Sequence, residues 1–413
     1  MKVLQINATY GVGSTGKIVQ DIVTCCEAHG IEGYVAYSNS NMPATEITNS
    51  YKIGNTLSEK WHAVLSRLGG QQAYFNRFTT WLFLRYLDSI KPDIVHLHNL
   101  HSNYIHLNML LNYLAKHDIA TVITMHDCWY FTGGCFHYTN AGCNKWQYSC
   151  GDCPKRRDDT PAYLFDSTRK ILQDREKYLT AIPRLYLVGC SQWVADEAQK
   201  SVLKHCNIRY LYNGFDLDIY KPSKSDLTQR LGVEGKHVLL GPASKWLSSV
   251  NKRTLDYFTK NMPDDYVLLL FGYMGVGQTL TNNVLLYGYT SSREEMAQLY
   301  SMADVFVNCS REDTLSSLNL EAQACGTPVV TYEATGSKET VDGQCGFALE
   351  TGNAESLWIK TKEVVEQGKA FFSESCINFI SERFNKVDNY NKYIQLYHEI
   401  MEGLFVLPSL RNK

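Results

Sequence analysis

Gly11, Gly13 and Gly16, in "INATYGVGSTGKIVQDI", spell G-x-G-x-x-G, the spacing that brings a backbone close to a dinucleotide's pyrophosphate. Gly11 to Lys17 also spell G-x-x-x-x-G-K, the opening of a triphosphate-binding loop. Each reading needs a further residue to complete its chemistry. The dinucleotide site needs an acid about 20 residues on to hold the ribose hydroxyls, and the strand there, "GYVAYSNSN", has none. The triphosphate loop needs Ser or Thr after its lysine to ligate magnesium, and that position is Ile18. What survives is strand, small-residue turn and helix. Amides near Gly13, Ser14 and Thr15 can face an anion there, or the glycines serve backbone geometry alone.

A second group able to do chemistry is Cys128, Cys135, Cys143, Cys150 and Cys153, crowded into 26 residues. The last four give C-x7-C-x6-C-x2-C, spacings at which four thiolates can surround a tetrahedral zinc. Structural zinc on Cys135, Cys143, Cys150 and Cys153 is the expectation, a closed site that staples a loop and does not catalyse. A reduced or redox-labile loop is the alternative.

The elements that must position these residues follow from the apolar pattern. "KVLQIN", "GYVAYS", "PDIVHLH", "ATVITM" and "RLYLVGCS" alternate with helix-like stretches, the rhythm of a parallel α/β sheet. The rhythm restarts at "HVLLGPAS" and runs through "YVLLLFGY", "VLLYGY" and "ADVFVNCS" to "TPVVTYE". A chain of 413 residues therefore divides into two doubly wound Rossmann-like α/β domains with a ligand cleft at the carboxyl ends of their strands. We place the domains at 1–215, with a cysteine-rich insertion at 128–154, and at 216–385, with a C-terminal helix in 386–413 packing back on the first.

Forty basic and 42 acidic residues leave a formal charge of -2, which gives no global field for nucleic acid. There is no signal-peptide core and no long apolar run, and the odd cysteine count fits a reducing compartment, so a cytoplasmic location is expected. Residues 58–87 mix Trp61, Phe78 and Trp81 with Lys60, Arg67, Arg77 and Arg85. That pattern suits either a membrane-surface or lipid-acceptor helix pair, or ordinary helices packed on the sheet.

The most specific signal is "NCSREDTLSSLNLEAQACGTPVVTYEATGSKETV", residues 308–341. An acid, seven residues, a Glu, a small-residue helix and G-x-P-V-V resemble the signature of family-four retaining glycosyltransferases of the GT-B fold. Asp313 and Glu321 hold the acidic places. The family usually has Glu first, and Glu312 stands beside Asp313, but the spacing favours Asp313. "NGFDLDIYKP", "LLYGYTSSREEMAQLYSMADVFVNCS" and "ASKWLSSVNKRTLDYF" extend the resemblance over most of the chain. Cysteine-bearing insertions after "HD-x-W" are similar to those of a bacterial exopolysaccharide subgroup, of the colanic-acid type.

The resemblance implies that Asp313 contacts donor-sugar hydroxyls and Glu321 the nucleotide ribose, with amides of Ser316 and Ser317 holding the diphosphate. It implies that Lys245, Lys252 or Arg253 neutralises that diphosphate, so that no catalytic metal is required. His126, closing "ATVITMH", is implied to face the cleft and bond donor or acceptor; His98, Asn99 and His101 are expected to line the cleft, and Gly13 and Ser14 to close over the diphosphate. The activity implied is retaining transfer of a hexose-type sugar from a UDP- or GDP-sugar to a hydroxyl acceptor, saccharide or lipid-linked. Its setting is bacterial polysaccharide, lipopolysaccharide or glycolipid synthesis, with peripheral contact at the inner face of the cytoplasmic membrane. The same scaffold also serves nucleotide-sugar epimerases and phosphorylases, or a non-catalytic nucleotide-sugar binder.

Overall fold

Short apolar runs alternating with amphipathic segments resolve, in a computed structural model, into two α/β units. The structure describes residues 1–43, 46–158, 161–273, 279–281 and 283–404, so the end of the C-terminal segment, 405–413, lies outside the described residues. One unit comprises Met1–Asn213 with Val387 onward, the other Gly214–Lys386.

In the first unit the strands are β1 (Lys2–Tyr10), β2 (Glu32–Ser40), β3 (Ser50–Lys52), β4 (Ile94–Leu97), β5 (Ala120–Met125), β6 (Leu185–Gly189) and β7 (Asn207–Tyr210). They form one parallel sheet in the order β3-β2-β1-β4-β5-β6-β7. Helices α1 (Gly13–Ala28), α2 (Thr56–Gly69), α3 (Arg77–Ile90), α4 (Leu107–Lys116), α5 (Thr168–Thr180) and α6 (Gln192–Gln199) connect them. β4, β5 and β6 are buried at every position, as strands covered on both faces must be.

The second unit holds β8 (His237–Pro242), β9 (Tyr266–Phe271), β10 (Thr279–Thr281), β11 (Val284–Leu286), β12 (Val305–Asn308), β13 (Val329–Tyr332) and β14 (Gly346–Leu349). Their order is β10-β11-β9-β8-β12-β13-β14, parallel except for the β10–β11 pair. The helices are α7 (Leu227–Arg230), α8 (Ala243–Trp246), α9 (Lys252–Asn261), α10 (Arg293–Met302), α11 (Ser317–Ala324), α12 (Ala354–Gln367) and α13 (Lys369–Arg383). The edge strands β3, β10 and β14 are additions to the sequence reading; at three or four residues each they leave little periodicity to detect.

A last helix, α14 (Lys386–Met401), leaves the second unit and buries Tyr390, Tyr393, Ile394 and Tyr397 in the core of the first, beside Val3, Ile94, Val122 and Val188. Each fully buried apolar side chain of this size contributes about 1.5–3 kcal/mol. The helix is thus an integral part of the first unit's core.

Both sheets reverse direction once, and ligands of open parallel sheets bind outside the carboxyl ends of strands at such a point. In the first sheet the reversal lies between β1 and β4, in the second between β8 and β12. The glycine turn follows β1 and His98 follows β4; Lys245 follows β8 and the Asp313 motif follows β12.

Candidate functional site

In the second unit a buried amide network holds the loop after β12. Asn308 Nδ2 donates to Ser316 Oγ at 3.0 Å and to Asn319 Oδ1 at 2.8 Å, and Asn319 Nδ2 donates to Thr340 Oγ1 at 2.8 Å. Ser316, the residue before α11, spends its hydroxyl on Asn308 and makes no side-chain cap, and the first turn carries no acid. The helix therefore presents about half a positive charge at an end that an anion can approach. Ser316 is buried and Ser317 exposed at that end.

Asp313 lies in this loop, pinned from its backbone. Its amide donates to Thr335 Oγ1 at 2.8 Å, and its carbonyl accepts from the Gly336 amide at 2.9 Å and from the Thr335 hydroxyl. A Cβ on Gly336 would stand 1.8 Å from the Thr314 carbonyl oxygen, so only glycine permits this approach. Glu321 sits one turn into α11. Tyr300 donates its hydroxyl to Glu321 Oε2 at 2.9 Å, and Tyr220 hydrogen-bonds the same carboxylate. Burial, and then the carboxylate, push both phenols well up, so they remain donors at any physiological pH.

The three candidate cations are placed differently. Asn251 Nδ2 donates to the carbonyls of Lys245 at 3.1 Å and Cys309 at 2.9 Å, and its Oδ1 accepts from Arg311 Nε at 2.9 Å. Lys245 and Arg311 both act electrostatically on the Cys309 thiol, which burial nevertheless pushes up to about 12. Lys252 instead pairs with Asp256 at 3.5 Å on the exposed side of α9, and Arg253 is exposed beside it. Sequence reasoning missed Arg311, although it stands two residues before Asp313, and missed Asn251, which fastens the loop from the neighbouring strand's helix.

In the first unit the glycine turn opens α1, again without a side-chain cap or an acid in its first turn. Gly11 and Gly13 adopt φ of +69° and +67°, and a Cβ on Gly16 would stand 2.7 Å from Thr9 Oγ1, so these glycines answer a backbone demand. Gly13 and Ser14 are exposed.

A relay of histidines runs from β4 to the carboxyl ends of β4 and β5, buried at His96 and His98 and half-buried at His126. His98 Nε2 lies 2.8 Å from Gln5 Oε1, and His98 Nδ1 lies 3.1 Å from His126 Nε2. Facing a carbonyl oxygen, His98 Nε2 carries its hydrogen; its Nδ1 accepts, and His126 donates from Nε2. Gln5 Nε2 donates to the Tyr397 hydroxyl at 3.0 Å, and that hydroxyl is 2.7 Å from His96 Nδ1. Burial pushes His126 down to about 4, with Asp127 opposing and His101 assisting, and holds His96 and His98 well below the ordinary histidine value. His126 is therefore a neutral hydrogen-bonding group near pH 7. His98 corrects the expectation of a cleft-lining side chain: it is wholly buried and touches His126. His101 pairs with Asp127 at 3.4 Å, and with the Trp129 amide it keeps that carboxyl below the usual range despite burial.

Cys135, Cys143, Cys150 and Cys153 line one small cavity with Tyr138 and Trp146. The zinc expected from their spacing finds no ligand set: among the described residues no group of three or more His, Cys, Asp or Glu is arranged to hold a metal ion. Instead Cys135 and Cys153 hydrogen-bond each other, and the Gly133 amide bonds Cys150. The insertion is fastened by Arg175, buried against the Trp129 ring at 3.9 Å and donating to the carbonyls of Trp129 and Thr132.

The two switch-point sheets and the acid-bearing motif define a glycosyltransferase of the GT-B fold. The profile "Glycosyltransferase Family 4" matches residues 16–219, and "Glycosyl transferases group 1" matches residues 277–400. The chain belongs to the family-four glycosyltransferases. It is 22% identical over 396 residues to the "Putative colanic acid biosynthesis glycosyl transferase WcaC" of Escherichia coli, covering 92% of this chain and 94% of that one. In fold it is similar to sucrose-phosphate synthase of Thermosynechococcus elongatus, with a TM-score of 0.69 and 16% identity over 97% of this chain and 99% of that one. It is also similar to Anabaena HepE in complex with UDP-glucose, with a TM-score of 0.62 and 17% identity over 97% of this chain and 100% of that one.

Proposed function

We propose that this glycosyltransferase moves a hexose-type sugar from a UDP- or GDP-sugar to a hydroxyl acceptor, with retention at the anomeric carbon, in bacterial polysaccharide or glycolipid synthesis. The observation that carries the reading is the pairing of a backbone-pinned Asp313 with Glu321 at the switch point of the second sheet. The colanic acid description of the Escherichia coli relative and the UDP-glucose complex of HepE support its setting and its donor class.

In this reading Glu321 accepts ribose hydroxyls and Asp313 sugar hydroxyls, while the first turn of α11 and Lys245 hold the diphosphate. The acceptor oxygen bonds to the anomeric carbon on the face from which the diphosphate leaves. The carbon–oxygen bond to the leaving group breaks, and a phosphate oxygen takes the acceptor's proton. Neutral His126 orients a hydroxyl of donor or acceptor. A screen of nucleotide sugars for thermal stabilisation, followed by transfer with the best donor and NMR of the anomeric configuration, tests it. Stabilisation by a UDP- or GDP-hexose and a retained configuration are expected. An inverted product, or transfer undiminished in Asp313→Ala, overturns it.

A further inference from the structure

A chain of polar side chains crosses the core of the first unit, and its direction is fixed at one residue. Gln5 on β1 pairs across the sheet with His96 on β4, and His98 follows two residues on, towards the same face. Gln5, His96, His98 and Thr124 are wholly buried, as are Tyr393 and Tyr397, which α14 lays against them. Val3, Ile94 and Val122 fill the same core with apolar side chains at no desolvation cost, so packing alone does not account for these polar groups.

Each hydrogen bond in the chain has a direction. Burial holds His96 and His98 well below the ordinary histidine value and both phenols above theirs, so every member is neutral. A neutral imidazole donates at one nitrogen and accepts at the other, and a buried hydroxyl must spend its one hydrogen. The donors therefore all point one way along the chain, or all the other. Gln5 alone has two ends that differ in their heavy atoms, so its amide selects the direction.

The amide of Gln5 turns Nε2 to the Tyr397 hydroxyl at 3.0 Å and Oε1 to His98 Nε2 at 2.8 Å. On one side Tyr397 accepts from Gln5 and donates to His96 Nδ1 at 2.7 Å. His96 then donates from Nε2 to Thr124 Oγ1 at 2.7 Å, and Thr124 to the Tyr393 hydroxyl at 2.9 Å. On the other side His98 donates to the amide oxygen and accepts at Nδ1 from His126 Nε2 at 3.1 Å. The imidazoles lie against one another, with centroids 4.1 Å apart for His96 and His98 and 5.4 Å for His98 and His126. Were the amide reversed, His98 would accept at Nε2 and His126 would carry its hydrogen on Nδ1. One side chain inside β1 thus decides a proton position at the carboxyl edge of the sheet.

We propose that Gln5 and Tyr397 are positioning residues that hold His126 in its Nε2–H tautomer, so that any substrate group meeting its other nitrogen must donate a hydrogen there. A hydroxyl of the donor sugar or of the acceptor meets that requirement; a diphosphate oxygen, which only accepts, does not. The part His126 plays in transfer rests on the function proposed above, whereas its tautomer does not. The C-terminal helix, through Tyr397, becomes part of the machinery that prepares the site.

Proton–nitrogen correlation NMR of the full chain carrying isotopically labelled histidine, at about pH 7 and without substrate, reads the tautomer directly. His126→Gln assigns the signal. The wild type is expected to carry hydrogen on Nε2 of both His98 and His126. Gln5→Met and Tyr397→Phe each release the direction, so the His126 signals should move towards a mixture of tautomers and kcat should fall about tenfold. Because both residues act through one chain, the double variant should lose no more turnover than Gln5→Met alone. A wild-type His126 with its hydrogen on Nδ1 overturns the proposal. So do variants that melt earlier yet keep the wild-type tautomer, the result expected of packing alone. The tautomer is read with no sugar present, so its failure is distinguished from failure of the transfer reading, which an inactive wild type would show.

Discussion

Tyr300 donates its hydroxyl hydrogen to Glu321 Oε2 at 2.9 Å, and Tyr220 bonds the same carboxylate, so the motif glutamate is oriented by two phenols from outside its own helix. Tyr300→Phe removes one of these bonds. The stability cost is about 1 kcal/mol, that of a single buried hydrogen bond. If Glu321 holds the nucleotide ribose, nucleotide affinity falls as well, by about tenfold, because the freed carboxylate must be re-ordered on binding. Calorimetric titration of nucleotide into both proteins checks this. A lowered melting temperature with unchanged affinity would show Tyr300 to be structural only.

Gly336 sets the position of Asp313. Any Cβ there would lie 1.8 Å from the Thr314 carbonyl oxygen and 3.3 Å from that of Asp313, so Gly336→Ala must displace one of the two loops. A loss of roughly 1–3 kcal/mol in stability is expected, with donor turnover reduced more than a hundredfold by analogy with a misplacement of about 1 Å. Gly288→Ala is the control: its Cβ meets nothing within 4 Å and its φ is ordinary, so melting and turnover should stay at the wild-type level.

Lys245 and Lys252 separate by their surroundings. Lys245 is fastened by Asn251 beside Cys309 at the sheet's switch point, whereas Lys252 pairs with Asp256 on an exposed helix. An exposed pair of this kind contributes about 0.3–0.5 kcal/mol. Lys245→Ala should weaken nucleoside diphosphate binding about tenfold or more, with an effect that shrinks at high salt, while Lys252→Ala leaves it unchanged. Equal losses in the two variants would place both cations on the diphosphate.

How much of this was legible in the sequence differs from feature to feature. Parallel strands announced themselves through unbroken apolar runs, and the acid motif through its spacing. The outward stripe of α2, with Trp61, Leu65 and Leu68 exposed, was visible as a stripe, but periodicity defines a face and not what the face meets, so His62 and Ser66 could not be recognised as the buried side. His98 looked like one more polar residue at a strand's carboxyl end; its burial depends on Gln5 and Tyr397, 93 residues before it and 299 after it by number, which no local pattern reveals. Cysteine spacing brought four thiols to one cavity without fixing the directions in which their sulfurs point.

Three buried histidines and the half-buried His126 make stability depend on pH with a definite sign. His126 and His62 are pushed down to about 4 by burial, and His96 and His98 lie well below the ordinary value. Because the folded values are lower than the unfolded value of about 6.5, the unfolded chain binds more protons as pH falls. Stability is complete above about 6.5 and is lost progressively towards 4, at up to about 1.4 kcal/mol per pH unit for each group. Melting temperature should therefore drop between about pH 7 and 5, before carboxylates begin to titrate, and His126→Gln should flatten the slope. A level profile across that range would contradict the burial of these rings.

The thiols of the insertion should react in a fixed order. A hydrogen bond from Cys135 is the largest influence on Cys153 and, with the Lys155 amide and against burial, lowers it to about 7; burial pushes Cys150 up to about 11. Thiolate is the nucleophile, so iodoacetamide should modify Cys153 first, with a rate that rises through pH 7 and levels above it, while Cys150 stays unmodified at neutral pH. Peptide mapping after short exposure reads the order directly. Reaction at Cys153 without any chelator is expected from the thiol–thiol hydrogen bond. Protection of all four cysteines that a chelator lifts, with about one zinc per chain, would instead restore the tetrahedral site that their spacing suggested.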